Sequence, residues 1–300
     1  MKKLLLNRVN VLFLALLGIL FFLPAQRSLD PIWAYLVVLL LAQALFLVQY
    51  ARTQKKSTLD VATVAYLFLG FWDVMARLNL THPVLAPPPE NVFYVFVTQR
   101  DMMVDSVFSS LTLLVISVGL SLILGIFLGL FVGWVPRLRA AVLPIANIIS
   151  PIPPLVYTPY VVAVMPTFRL ASIFVIFFAV FMPTFQNMVN RVITVDQKII
   201  QSAQVMNVST PTMLFKVILP YCMPGIISGL TGTMRVALLC LSGAELLGAR
   251  SGLGFFVKRA SDYANYTQVI AGIILMGIVV TIITQLIKLL QEKTIKWRYT

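Results

Sequence analysis

Asn190-Arg-Val-Ile-Thr-Val-Asp-Gln-Lys-Ile-Ile-Gln-Ser-Ala-Gln-Val-Met-Asn-Val-Ser-Thr-Pro-Thr-Met-Leu-Phe-Lys-Val-Ile-Leu-Pro220 joins two long apolar runs, Leu170–Val189 and Cys222–Leu247. A connector needs only a few polar residues, yet this one carries two amphipathic patterns. Asp196 is placed to cap a helix whose apolar face is Ile199, Ile200, Ala203 and Met206. Asn207 falls where that helix should stop, and asparagine tolerates the left-handed conformation that ends helices. Ser209 or Thr210 can cap a second helix with Pro211 in its first turn and Met213, Leu214, Val217 and Ile218 on its apolar side, ended by Pro220. Two short helices hinged at Asn207 have faces to bury, either on the protein's own helices or on a second protein.

Outward from this stretch the sequence is dominated by hydrocarbon. Apolar residues make up 60% of the 300 positions, charged residues 11%, and mean hydropathy is +0.94. A water-soluble domain carries roughly 25% charged residues, so most of this surface faces something other than water. About eight apolar segments approach the length of a spanning helix: Val9–Ala25, Pro31–Tyr50, Leu59–Leu78, Val104–Val135, Leu143–Met165, Leu170–Val189, Cys222–Leu247 and Val269–Leu290. The expected fold is an all-α polytopic membrane bundle. It divides into accessory helices over 1–80, a Pro-rich outer connector over 81–105 with a short amphipathic helix near Val92–Val97, and a core over 106–300 holding the loop 190–220.

The net charge of +13 does not form a nucleic-acid stripe, because the basic residues fall in short clusters between apolar runs. Lys2, Lys3 and Arg8, then Arg52, Lys55 and Lys56, Arg137 and Arg139, Arg191, Lys198 and Lys216, and Lys288, Lys293, Lys296 and Arg298 fall on one side. The other side holds Arg27, Arg77, Arg100, Arg169, Arg250, Lys258 and Arg259, diluted by Asp30, Glu90, Asp101, Asp105 and Asp262. The positive-inside rule then places both termini, and the loop 190–220, in the cytoplasm. Leu23-Pro24-Ala25-Gln26 lacks a small-residue cleavage pattern, so the first segment reads as an uncleaved span.

Few residues point to chemistry. His82 is the single histidine, which excludes paired-histidine metal sites. Cys222 and Cys240 are 18 positions apart on one helix, about 27 Å, so they do not pair and read as packing residues. Gly248-Ala-Arg-Ser-Gly252-Leu-Gly254 lacks a preceding strand and reads as a flexible loop, and no Gly-x-x-x-x-Gly-Lys-Ser/Thr phosphate loop exists. Gly125, Gly129 and Gly133 recur at close-packing spacing, against a neighbour in the same chain or in a second copy. Arg235 and Glu245 are charges within the seventh segment, about 15 Å apart. Arg235 either meets an anion in a central pathway or reaches carbonyls or an interface. Asp73 has no assigned role.

The loop resembles the coupling loop of binding-protein-dependent ABC importer permeases, whose motif is Glu-Ala-Ala, three residues, Gly, then a run to Leu-Pro. Here it reads Gln201-Ser202-Ala203, three residues, Asn207, then Leu219-Pro220. Asn207 keeps the turn, whereas Gln201 removes a charge. The resemblance runs from Leu85 to Arg298 and is closest to the nitrate/sulfonate/taurine class. It includes Leu85-Ala-Pro-Pro-Pro, Ser109-Ser-Leu, the run Pro144–Pro159, Phe181-Met-Pro-Thr-Phe-Gln-Asn, Leu219-Pro-Tyr-Cys-Met-Pro-Gly, Ala244-Glu245-Leu246 with Gly252-Leu-Gly254, and Trp297.

The resemblance implies a non-enzymatic permease subunit in a bacterial plasma membrane, forming the route for a small solute such as a sulfonate, nitrate or a vitamin precursor. It implies a second permease copy, an extracytoplasmic substrate-binding protein, and a separate ATPase that holds ATP and Mg, with no cofactor on this chain. Gln201, Ser202, Ala203, Val205, Met206, Asn207 and Ser209 would contact the ATPase. Arg235, Glu245, Pro154 and Tyr157 would belong to the translocation pathway, the prolines of 151–159 breaking helices beside it. The rival is an ion-gradient secondary transporter, which needs inverted repeats and deep acids; the sequence shows no clear repeat and few such acids.

Overall fold

The computed structural model describes residues 7–26, 29–82 and 84–294, and these form helices and loops without strands. Lys2, Lys3, Arg27, Pro83, Lys296, Trp297 and Arg298, on which parts of the reading above rest, lie outside the described residues. The helices are α1 (Arg8–Phe22), α2 (Trp33–Thr53), α3 (Lys56–Arg77), α4 (Pro89–Thr98), α5 (Arg100–Trp134), α6 (Pro136–Ile149), α7 (Pro154–Val164), α8 (Phe168–Ile193), α9 (Gln197–Val205), α10 (Thr210–Thr212), α11 (Leu219–Gly248), α12 (Leu253–Asp262) and α13 (Tyr266–Thr294). A π-helical turn, Met213–Ile218, joins α10 to α11.

The eight expected segments all appear, in three forms. Among the described residues, six helices are long and apolar enough to cross a membrane: α2, α3, α5, α8, α13 and the continuous stretch Thr210–Gly248. The fifth expected segment is a broken pair, α6 and α7, bent by 96°. Its break is Ser150-Pro-Ile-Pro, where prolines supply no N–H and push their predecessors out of helical geometry. The first segment is the 15-residue apolar helix α1. The expected connector helix is α4, with Pro89 in its first turn.

The chain forms two compact units, Met1–Met103 with Val257–Ile274, and Val104–Phe256 with Leu275–Thr300. In the first, Val9, Leu16, Leu20, Tyr35, Leu39, Phe46 and Tyr66 form the apolar core. A polar chain threads it: Tyr66 Oη donates to Gln43 Oε1 at 2.9 Å, and Gln43 Nε2 donates to Asn10 Oδ1 at 2.8 Å. Cross-helix bonds of this kind hold membrane helices together where lipid gives no hydrophobic drive. Asp73 acquires a role here. Its Oδ1 accepts from Arg77 Nε at 2.7 Å, one helical turn away, while Arg77 also reaches Glu90 and donates to the Leu23 carbonyl at 3.1 Å. All three charged side chains are buried. Glu90 lies on the connecting helix α4. Burial raises its carboxyl above the ordinary carboxylate value and the Asp73 charge adds to this, with Arg77 pulling the other way.

In the second unit the glycine stripe of α5 meets α8 of the same chain, which settles the partner left open by the sequence. A Cβ on Gly129 would sit 2.7 Å from Met188 Cβ and 2.8 Å from the Phe185 carbonyl, and one on Gly133 2.7 Å from Val192 Cβ. Ser121 Oγ lies 2.8 Å from the Phe177 carbonyl across the same seam. α8 then packs on α11 through Ile176, Val180, Ala237 and Leu241. Cys222 and Cys240 are free and buried within the cores, as expected of packing residues.

One prediction concerns the buried arginine. Arg77→Gln strands two buried carboxyl groups and should lower stability to SDS-induced unfolding by about 3–5 kcal/mol. Arg8→Gln removes only the exposed pair with Asp60 and should cost less than about 1 kcal/mol.

Candidate functional site

α8 ends at Ile193, and the chain turns into α9 through Asp196, whose side chain accepts from the Lys198 amide at 2.9 Å. α9 stops where expected. Asn207 has φ of 53°, and its amide and that of Val208 return to the carbonyls of Gln204 and Ala203 at 2.9 and 3.3 Å. Ala203 is buried in a cluster with Val192, Val195, Met213, Leu214 and Ile218, so α9 is clamped along one side. Ser202 Oγ folds back onto the Lys198 carbonyl at 2.7 Å, and Ser209 Oγ meets Thr212 Oγ1 at 3.0 Å. Gln201, Ser202, Asn207 and Ser209 are exposed.

Two details differ from the sequence reading. Met206 is 77% exposed beside Val205 at 87%, and it does not share the inward face with Ala203. It follows the last residue of the helix, where the backbone is already leaving helical register. Pro220 also does not end the segment. The π-helical turn offsets the ladder, with the Leu219 amide bonding five residues back to Leu214, so Pro220 enters the first turn of α11 without interrupting Thr210–Gly248. The apolar side foreseen for this stretch is otherwise present, with Met213, Leu214 and Ile218 buried.

At the break between α6 and α7, Pro154 and Tyr157 line a cavity of about 140 Å³ with Met182, Pro183 and Val236. Tyr157 packs edge-on against Phe178 at 5.8 Å. Arg235 neighbours Val236 in sequence but is exposed, and it forms no ion pair among the described residues.

Glu245 sits apart from both features. It is buried, accepting at Oε1 from Ser110 Oγ at 2.5 Å and at Oε2 from the Gly254 amide at 2.7 Å. Ser110 Oγ in turn accepts from the Leu253 amide at 2.8 Å. Gly252 takes φ of +120° over the same carboxylate, which a Cβ there would strike. The glycines read as loop flexibility therefore serve a tight clasp. Beside this clasp, at the start of α8, opens a cavity of about 680 Å³ whose lining includes Arg169 and Arg250. Sequence reasoning used these arginines only to orient the chain; nothing in their spacing, 81 residues apart, signals a shared cavity.

Comparison with known proteins matches residues 121–296 to the family model of the binding-protein-dependent transport system inner membrane component. The chain is similar to the taurine transport system permease protein TauC of Escherichia coli (strain K12), 30% identical over 250 residues covering 81% of this chain and 90% of the relative. It is 27% identical to the putative aliphatic sulfonates transport permease protein SsuC of Bacillus subtilis, covering 77% and 85%. The nitrate import permease protein NrtB of Synechocystis is 27% identical over 62% of this chain and 68% of its own.

The clasp makes a prediction. Glu245→Gln places an amide donor against donor groups, and Gly252→Ala drives a methyl into the carboxylate. Each should speed amide exchange at Leu253 and Gly254 by at least about tenfold, the equivalent of about 1.4 kcal/mol of lost bonding. Hydrogen–deuterium exchange read by mass spectrometry over 249–256 checks it, and Thr112→Ala should leave that segment unchanged.

Proposed function

The chain belongs to the family of binding-protein-dependent transport system inner membrane components, and from that premise we propose that it carries a small solute inward under the drive of a separate ATPase docked on α9. It is a multi-span, non-enzymatic ABC permease subunit of the inner membrane. Membership sets aside the ion-gradient transporter considered from sequence. The observation that carries the ATPase proposal is the tip of α9: Val205 and Met206 project while Ala203 behind them is held in the core. A large apolar pair exposed on an anchored hinge suits insertion into a groove on a second protein. Gln201, Ser202, Asn207 and Ser209 would frame that contact, and ATP and Mg would belong to the ATPase.

The remaining partners follow the same reading. An exposed arginine within a spanning helix is costly against lipid, so Arg235 faces a solute route or a second permease copy. Pro154 and Tyr157 at the helix break supply irregular backbone beside such a route. An extracytoplasmic binding protein delivers the solute, and both termini lie in the cytoplasm, as the basic clusters indicate. The relatives are named for taurine, aliphatic sulfonates and nitrate, and the solute proposed here is likewise a small anion-bearing compound. ATP binding would move α9, and the bundle would shift between two packings that nucleotide biases differently.

The experiment is Val205→Asp with Met206→Asp in the chain purified with its ATPase. Charges placed at a desolvated contact should cut solute-coupled ATPase and uptake by about tenfold or more, with the melting temperature of the permease unchanged. Normal uptake by this variant would remove the docking role from α9.

A further inference from the structure

Three features of the 680 Å³ cavity at the start of α8 share one sign of charge. Arg169 and Arg250 line it, both exposed, and neither forms an ion pair among the described residues. Among the described residues, no acidic side chain lines it. α8 itself begins here: Thr167 caps it by accepting from the Leu170 amide at 3.2 Å, and its first turn contains no acid. The leading amides of a 26-residue helix thus add their dipole to the two guanidinium groups. The carboxylate of the clasp, Glu245, is consumed by Ser110 and Gly254, and Asp105, one helical turn before Ser109 on α5, is exposed and is not among the lining residues.

The rest of the lining is of two kinds. Ser109, Thr167 and Ser251 contribute hydroxyls, and Ser109 and Ser251 bond each other at 2.8 Å, tying the Arg250 loop to α5. Phe108, Val162, Met165 and Phe168 contribute apolar wall. Volume and mixture suit a small-molecule site. The position is equally specific. The α9 loop leaves the far end of the 26-residue α8, about 39 Å away, so this cavity opens at the opposite end of the unit.

We propose that this cavity is a receiving site for a small amphiphilic oxyanion, with a sulfonate or carboxylate head between Arg169 and Arg250 and a short aliphatic body against Phe108 and Phe168. The inference rests on the permease reading, which puts this end of α8 on the side from which solute arrives. Guanidinium groups offer paired donors that match the oxygens of such a head.

The test reads the field in the cavity without ATPase or uptake, so its failure leaves the permease reading standing. Thr112→Cys places a thiol on the cavity lining, Val205→Cys serves as the reference far from it, and native Cys222 and Cys240 are buried. With the full chain in phospholipid-free detergent, a sulfonate-bearing methanethiosulfonate should label Thr112→Cys faster than a trimethylammonium one. The preference over the reference site should be about tenfold, the lower end of what focused charge produces. Excess methanesulfonate should slow that labelling, and Arg169→Gln with Arg250→Gln should abolish both the preference and the protection. Equal rates for the two reagents in the unsubstituted background would overturn the site. So would protection by phosphatidylglycerol but not methanesulfonate, which would assign the arginines to a lipid headgroup. If the double arginine variant fails to fold, as judged by labelling of the native Cys222 and Cys240 that are buried in the folded protein, methanesulfonate protection of the arginine-intact protein decides alone.

Discussion

In hydrocarbon, a main-chain N–H or C=O without a partner costs several kcal/mol, and no water is there to supply one. The chain meets this constraint by putting nearly every apolar stretch into helix. Irregular backbone is confined to a few places, each with its own means of closure. In the Ser150–Pro153 break the two prolines bring no N–H to satisfy, and the amides of Ser150 and Ile152 bond back to the carbonyls of Ala146 and Ile149. The Met213–Ile218 turn keeps its bonds by reaching one residue further back, from Leu219 to Leu214. The loop after α11 turns its amides onto Ser110 and Glu245. These three departures mark the cavity at Tyr157, the loop that carries α9, and the cavity of the two arginines.

Much of this was legible because it is written in local sequence. Eight apolar segments gave the bundle, and the prolines of 151–159 marked the fifth of them as a place for helix breaks. The Asp196 cap and the Asn207 stop gave α9, since capping and left-handed geometry depend on neighbours within a turn. Cys222 and Cys240 were placed correctly for the same reason, because helix rise alone keeps them apart.

What escaped the sequence depends on contacts between distant residues. The glycine stripe announced a close neighbour but not which one; only packing shows Met188 and Val192 of the same chain across the seam. Met206 fits a helical face by spacing, yet α9 has already ended there. Pro220 reads as a stop unless the π-helical turn before it is known. Asp73 and Arg77 stand four apart, an available signal, but Glu90 and the Leu23 carbonyl complete their cluster from other segments. The sequence assigns Glu245 to a pathway and is silent on the bonds its oxygens accept from Ser110 and Gly254, because Ser110 lies 135 residues away.

The unbroken stretch Thr210–Gly248 extends 39 residues, about 58 Å, with the α9 hinge at its foot and the Glu245 clasp near its head. A helix is stiff along its axis and yields mainly where its ladder is offset, here at the π-helical turn beside the foot. The stretch is thus a connecting rod with one jointed region near its foot, formed by the π-helical turn and by Pro224 just above it. A push at the hinge is absorbed partly by that joint, and what remains arrives as a tilt of the carboxylate that holds the far loop shut.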